Sequence, residues 1–328
     1  KKKNYEIFNE IKNKIYFFLI FYFLILINLF FLISFKASFL PSFFYFRYFL
    51  FVLSIYYLLK KYIIFEKILL YSIIFTFIIV ILDSTFQSIF SKNFFNNLLK
   101  SDGQMNILTS FFNEEKKLGS YLIRLLPLLI SLLYYFNFKK INYLFLVLVG
   151  IIIFFTSERA ALFLFIVFSF FYFLIIKTKL YFVLSGFLVL ITLLTFSKEL
   201  KFKYLDYTLM QLGIIETSWN KDYNNLVRYY SKEHEDLSYT AFKIFQNNIL
   251  TGSGVKTFYI ACNDLIKDNE KKIDLEEKMN FLNRNNNLKC STHPHNTYFQ
   301  ILSDTGIFAF IFIFTFFIFV LKRNIHIL

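Results

Sequence analysis

The residues best suited to chemistry lie in one short stretch, where His293 and His295 flank a proline and Asn296 follows. The chain has only 4 histidines, so two of them this close together stand out. A neutral imidazole, with a pKa of about 6.5, can take a proton from a hydroxyl group. Asn is a preferred N-cap, so Asn296 predicts the start of the following apolar helix, with His295 at its mouth. The alternative is that these histidines are polar residues at a membrane interface.

Three arginines lie in or beside predicted membrane segments and are candidates for binding an anion. Arg159 lies in the turn of "TSERAALF", Arg124 lies inside "GSYLIRLLPLL", and Arg228 begins an amphipathic stretch. The planar guanidinium group binds phosphate oxygens through paired hydrogen bonds. Arg159 and Arg124 have the alternative of reaching to lipid headgroups, and Arg228 taken alone is a surface residue. Asp83 ends an apolar segment and is a candidate partner for one of them.

A metal site is the weaker interpretation of the histidines. Zinc needs a third and a fourth ligand, and Cys262 and Cys290 show no C-x-x-C spacing. We therefore expect neither a metal nor a cofactor. The two cysteines fall in a predicted outward loop, where an oxidising compartment favours a disulfide, and two free thiols are the alternative.

The elements that position these residues must be membrane helices. The 328 residues are 57% hydrophobic and 23% aromatic, which exceeds the apolar content of soluble domains. A bilayer solvates such a surface, whereas a single soluble core leaves most of it in water. The net charge of +14 does not indicate nucleic-acid binding, because much of the lysine clusters between apolar segments, as in cytoplasmic loops.

Eight apolar segments are candidates for membrane spans. They cover residues 15–35, 42–59, 63–82, 119–136, 141–156, 160–176, 180–196 and 298–321. Every second connection is basic, which predicts a cytoplasmic N-terminus and a large outward loop. The sequence thus predicts an all-α, polytopic transmembrane helix bundle. Its divisions are spans one to seven in 1–196, a loop or cap in 197–297, and the last span with a cytoplasmic end in 298–328.

The large outward loop is too long to lack structure, and we expect it to form a mostly helical cap. Leu237, Ala241 and Ile244 recur at helical spacing. Gly252 and Gly254 end this pattern, since glycine takes the positive φ that helix ends require. The glycine run does not match a P-loop, but it is a candidate for shaping the cap over a phosphate.

Several motifs together resemble the O-antigen ligase and O-antigen polymerase family. "HPHNTYFQILSDTGIFAF" is similar to the family's His-Asn motif, which precedes an apolar helix with an acidic residue and a glycine, here Asp304 and Gly306. "TSERAALFLF" resembles its Ser-Arg segment, with Glu158 inserted. "VRYYSKEHEDLSYTAFKIFQNNILTGSGVKTF" resembles its run of an Arg, a helix and Gly-x-Gly. The resemblance covers about 83–310.

The resemblance implies a bacterial inner-membrane enzyme of lipopolysaccharide or polysaccharide biosynthesis. Its donor would be a glycan on undecaprenyl pyrophosphate, and its acceptor a hydroxyl of a glycan or of the lipid A core. His295, Arg228 and Arg159 take the catalytic roles, with the arginines holding the pyrophosphate and the histidine as base. A second group of residues is expected to contact substrate or to support the site: Arg124, His293, Asn296, Gly252 and Gly254. Family members usually have more spans, so we expect this chain to lack some at one end.

Two alternatives remain open. A repeat-unit polymerase of the same family would differ from a ligase only in its acceptor, a second lipid-linked unit. A transporter of lipid-linked glycans would need ionisable groups at the middle of the bilayer, internal repeats and discontinuous helices. The sequence shows no internal repeat and few charges within the spans apart from Arg124, which favours the enzyme.

Overall fold

A computed structural model of the chain describes residues 2–31, 33–102, 105–113, 115–176, 201–212, 214–215, 231–271 and 288–325. These residues are mainly helical, because long apolar segments in a bilayer must satisfy their own backbone groups. The predicted all-α fold is confirmed apart from one short hairpin of two strands. Contacts divide the chain into two units, Lys1–Lys61 with Leu226–Leu328 and Tyr62–Asn225.

Eleven α-helices and two strands are described in these ranges. The helices are α1 (Lys2–Asn28), α2 (Phe35–Phe43), α3 (Phe46–Lys61), α4 (Ile63–Phe90), α5 (Leu118–Tyr135), α6 (Lys139–Phe155), α7 (Arg159–Ile175), α8 (Tyr207–Gln211), α9 (Lys232–Asn247), α10 (Phe258–Lys271) and α11 (Thr297–Ile325). The strands are β1 (Lys100–Asp102) and β2 (Met105–Ile107), and a π-helical turn, Phe202–Asp206, leads into α8.

Four helical segments are long and apolar enough to cross a membrane, namely Phe35–Lys61, Ile63–Phe90, Leu118–Tyr135 and Thr297–Lys322. Two shorter apolar helices cover Ile15–Asn28 and Arg159–Ile175. All six coincide with predicted spans. The predicted span 141–156 corresponds to α6, which is not among these six helices. The predicted span 180–196 lies outside the described residues, so the count of eight spans stays a prediction. Only 6% of the most apolar window of Phe35–Lys61 is buried within the protein, as expected where lipid covers the rest.

The first unit is held together by aromatic stacking between its membrane helices. The ring of Phe17 in α1 stacks on Phe312 and Phe316 of α11, with centroids 4.1 and 4.2 Å apart. Phe18 stacks on Phe49 of α3 at 4.0 Å. Such pairs contribute beyond simple burial, roughly 0.5–1.5 kcal/mol each in water.

The helices α9 and α10 of the first unit share a small separate core. Leu237, Ala241 and Ile244 of α9 are buried against Phe258 and Cys262 of α10. The predicted helical spacing of the three α9 residues is thereby confirmed, since positions four and three apart share one face. The polar residues Asp236, Ser238 and Thr240 of α9 are buried as well.

The second unit is built around one face of α5. Its leucines at positions 118, 122, 126, 129 and 133 are all fully buried, and their spacing of three and four residues places them in one stripe. Residues of α4, α6 and α7 pack against this stripe. Arg124 lies on the exposed side of the same helix.

Two buried polar residues of α4 hold the loop that follows it. The Asp83 carboxylate accepts from the amide of Phe94 at 2.9 Å and from the Ser110 hydroxyl at 2.5 Å. The Gln87 side-chain oxygen accepts from the amides of Thr109 and Ser110 at 3.0 and 2.7 Å. Asp83, a candidate arginine partner by sequence, thus anchors the loop through both of its oxygens.

Candidate functional site

The start of α11 is capped as the sequence predicted. The Asn296 side-chain oxygen accepts from the amides of Tyr298 and Phe299 at 3.0 and 3.3 Å. These bonds satisfy N–H groups that have no partner inside the helix. His295, directly before the cap, has a φ of +53°. This left-handed backbone, which His tolerates better than most residues, sets the imidazole apart from the helix.

Three imidazoles cluster at this helix start. The His295 ring centroid lies 4.1 Å from that of His293 and 5.8 Å from that of His234, which lies in the first turn of α9. Nδ1 of His293 lies 2.9 Å from the Thr292 hydroxyl. Nδ1 of His234 lies 2.6 Å from the Ser231 hydroxyl. Each neighbouring imidazole therefore has one nitrogen engaged by a hydroxyl group.

Sequence reasoning did not place His234 in the site. It lies 61 positions before His295, so no local spacing relates the two. The only available signal was residue type, since the chain has so few histidines. The packing of α9 brings His234 to His295.

A disulfide and an ion pair fix the stretch that carries the histidines. Cys262 and Cys290 are bonded, with their Cα atoms 5.7 Å apart, which decides between the two alternatives that the sequence left open. Nζ of Lys289 lies 2.7 Å from Glu233 Oε1, an exposed pair that contributes little stability by itself. The Lys289 amide also donates to the Thr240 hydroxyl at 3.0 Å. The stretch before α11 is thus attached to both α9 and α10.

The surroundings of His295 favour the neutral form of its imidazole by lowering its pKa. Although the residue is exposed, partial desolvation of the ring lowers its pKa below 6.5, and the adjacent His293 and His234 lower this pKa further. The Glu233 carboxylate acts in the opposite direction and raises the pKa of His295. The hydrogen bond from Lys289 lowers the pKa of Glu233 itself. A neutral, accessible imidazole is the form that a general base requires.

The described ranges hold no group of three or more His, Cys, Asp or Glu side chains arranged to bind a metal ion.

Two glycines in the loop between α9 and α10, Gly252 and Gly254, pack against a break in α11. Gly306 has a φ of +75° and interrupts the helix. The amides of Ser253 and Gly254 donate to the carbonyls of Ser303 and Asp304 at 2.8 and 2.9 Å. These two carbonyls would otherwise lose partners at the break.

The contact at the break excludes side chains on both sides. A Cβ on Gly252, whose φ is +71°, would lie 2.6 Å from the Gly306 amide nitrogen. A Cβ on Gly306 would lie 2.3 Å from the Leu250 carbonyl oxygen. Gly252 and Gly254 therefore have a packing role, and their contact with substrate stays a prediction.

The turn before α7 positions Arg159 in the second unit. Its Nη1 donates to Thr208 Oγ1 at 3.0 Å, and its Nη2 donates to Gln211 Oε1 at 2.6 Å. The guanidinium carbon lies 4.9 Å from the centre of the Tyr207 ring. All three partners lie in α8 and are neutral, so they orient the guanidinium group without cancelling its charge.

Glu158, the residue inserted beside Arg159, has a separate role. Its carboxylate accepts from the amides of Gly119 and Ser120 at 2.6 and 2.9 Å. These amides belong to the first turn of α5, where the helix dipole favours a negative charge. Glu158 is therefore a capping residue from a distant turn.

A comparison with known protein families assigns the chain to one of them. A family model described as O-antigen ligase matches residues 144–314. This chain belongs to the O-antigen ligase family. The match covers more than half of the chain, including Arg159, the histidine cluster and the break in α11, and it confirms the resemblance seen in the motifs. No curated protein and no solved structure matches the chain.

Membership of the O-antigen ligase family makes this a membrane protein with an O-antigen ligase or polymerase type of function, and hence an enzyme. The structure describes only some of the other predicted site residues. Arg124 is exposed on α5, and Arg228 lies outside the described residues. Arg159 belongs to the second unit and His295 to the first. That Arg159, Arg228 and His295 share one site stays a prediction.

Proposed function

We propose that this member of the O-antigen ligase family transfers a glycan from undecaprenyl pyrophosphate to an acceptor hydroxyl at the periplasmic membrane face. The observation that carries the proposal is the accessible imidazole of His295, clustered with two others at the capped start of α11, in a chain of this family. A base at this position meets substrates that are anchored in or near the membrane surface.

The reaction is a substitution at the anomeric carbon of the donor sugar. His295 takes the proton of the acceptor hydroxyl, and the hydroxyl oxygen forms a bond to the anomeric carbon. The bond from that carbon to the pyrophosphate oxygen breaks, and the lipid pyrophosphate leaves with the electron pair. The proton remains on His295 until solvent accepts it.

The arginines stabilise the leaving group in this scheme. Negative charge grows on the pyrophosphate as the bond breaks, and fixed cations lower the energy of that state. Arg159 supports this role because neutral side chains of α8 hold its guanidinium group in place. Arg228 is assigned the second cation on the family motif alone.

The topology belongs to the same proposal. Eight spans, a cytoplasmic N-terminus and a periplasmic cap over residues 197–297 place the histidines outside the inner membrane. The Cys262–Cys290 disulfide supports this orientation, because the periplasm is oxidising and the cytoplasm is not. Membrane lipids surround the bundle in this arrangement.

A transporter of lipid-linked glycans is the second candidate. The break in α11 favours it, since discontinuous membrane helices are common where transporters bind substrates. The match to the O-antigen ligase family favours glycan transfer, for which an accessible imidazole at a capped helix start suits proton transfer from the acceptor hydroxyl.

Glycan analysis of a strain lacking the gene tests the proposal. A ligase predicts that finished polymer accumulates on the lipid carrier. A polymerase of the same family predicts single repeat units on the acceptor. Lipid-linked glycan trapped on the cytoplasmic side would indicate a transporter and contradict glycan transfer.

A further inference from the structure

A buried carboxyl group lies at the break in α11. Asp304 lies at the end of the first half of α11 and is only 4% exposed. The carbonyl end of a helix carries a partial negative charge, which disfavours an ionised carboxylate there. Asn28, the last residue of α1, is 2% exposed and donates from Nδ2 to the Asp304 carbonyl at 2.7 Å.

Two oxygen atoms at this break have no hydrogen-bond partner among the described residues. They are Asp304 Oδ1 and the side-chain oxygen of Asn28. The bond from Asn28 Nδ2 fixes which end of that amide is the acceptor. Two buried acceptors without a donor cost about 1–3 kcal/mol each.

Among the described residues, the groups that face the Asp304 carboxyl from each packed element are uncharged. The loop contributes the backbone amide of Lys256, 3.3 Å from Oδ2, while the ammonium group of that residue is exposed. The first half of α11 contributes the amide of Gln300, and α1 contributes the amide of Asn28. An ionised carboxylate in this setting would be a buried charge facing only neutral groups, which is strongly unfavourable.

We propose that Asp304 binds a proton and donates it from Oδ1 to the side-chain oxygen of Asn28. This one proton satisfies both unpartnered oxygens and removes the buried charge. The break in α11 is then a proton-binding site that joins the end of α1 to the half-helix that begins beside His295. This site is formed by residues of the first unit, and proton binding there does not depend on glycan transfer.

Infrared spectroscopy of the lipid-reconstituted protein tests the site. At neutral pH the wild type should show the C=O stretch of a neutral carboxylic acid, and Asp304→Asn should remove it. Asp83→Asn is the matched control. Asp83 is also buried, but both of its oxygens accept hydrogen bonds, so we expect its replacement to leave the band in place.

A titration of the wild type alone keeps the test decisive if Asp304→Asn fails to fold. The neutral-acid band should be present at neutral pH and disappear only under alkaline conditions. A spectrum without that band at neutral pH would overturn the proposal. So would a melting temperature that depends on added sodium or potassium ions, because a bound cation would then replace the proton.

Melting temperatures of variants at Asp304 and at Asn28 test the shared proton independently. Asp304→Asn should keep the wild-type melting temperature, since its amide can donate to the Asn28 oxygen as the neutral acid does. Asp304→Ala and Asn28→Ala should each lower it. Equal losses in Asp304→Asn and Asp304→Ala would contradict the shared proton.

Discussion

The turn before α7 and the stretch before α11 both carry predicted catalytic residues, and the protein organises them in different ways. The Arg159 guanidinium is half-buried and already bonded to Thr208 and Gln211. The His295 imidazole is exposed, and its ring neighbours are other imidazoles. A cation that binds an anion profits from a fixed orientation, whereas a base must stay open to the hydroxyl group that it deprotonates.

The carboxylates near the two regions differ in a similar way. Glu158 and Asp83 in the second unit accept hydrogen bonds through both of their oxygens. Asp304 in the first unit leaves one oxygen without a partner among the described residues. The second unit thus uses carboxylates as anchors for turns, and the first uses one to bind a proton at a helix break.

Loss of the base should have the largest effect. His295→Ala should reduce glycan transfer roughly 10²- to 10⁴-fold, because proton transfer in the transition state is lost. Transfer measured with purified enzyme, lipid-linked donor and acceptor checks this. The control is His326→Ala, a histidine predicted to lie beyond the last span on the cytoplasmic side. Full activity in His295→Ala would show that His295 is not the base, and the two regions would then not differ in function as proposed.

Replacing the fixed arginine should have a smaller effect than replacing the base. Arg159→Gln should lower kcat about 10- to 100-fold, since a hydrogen bond from a charged group is worth roughly 1.5–3 kcal/mol. Arg159→Lys should recover only part of this loss, because an ammonium group lacks the paired geometry. Arg47→Gln is the control, since Arg47 is an exposed arginine of α3 with no assigned role in the site. Equal losses in Arg159→Gln and Arg47→Gln would show that the bonds to α8 do not matter for activity.

A substitution at Gly306 should lower the stability of the protein without removing any side chain proposed to act in catalysis. Gly306→Ala should destabilise the protein by roughly 1 kcal/mol or more, since alanine is strained at positive φ and its Cβ would meet the Leu250 carbonyl. Thermal unfolding of the purified protein measures the change. An unchanged melting temperature would mean that the break in α11 is not rigidly clamped.

Substitutions of the neighbours of His295 should have the smallest effect, a shift in the pH dependence of activity. The direction of this shift should differ between the two neighbours. Neutral His295 is the active form, so activity falls at low pH as its imidazole is protonated. His234 lowers the pKa of His295, and His234→Gln should therefore raise this pKa and move the acid limb of the rate profile to higher pH. Glu233 raises the pKa of His295, and Glu233→Gln should move the limb to lower pH.

The two variants control each other, because a merely structural disturbance would not shift the limb in opposite directions. Shifts of the same sign would contradict the arrangement of these side chains around His295.

The sequence by itself determined the features that depend on neighbouring residues. The buried stripe of α5 follows from leucines three and four residues apart, and the cap at Asn296 follows from its place before an apolar segment. The membrane class follows from composition, and the family follows from short motifs in order. The pairing of Cys262 with Cys290 was one of two open alternatives, since sequence carries no Cα–Cα distance.

Only the tertiary structure decided which distant residues meet. His234 reaches His295 through the packing of α9, and Asn28 reaches Asp304 across 276 positions. Arg159 finds its partners about fifty positions away in α8, and Gly306 breaks a helix that its apolar sequence would continue. Periodicity and capping are local signals, whereas these contacts depend on how helices pack, so the residues that set the charge and orientation of each candidate group emerge only in the folded protein.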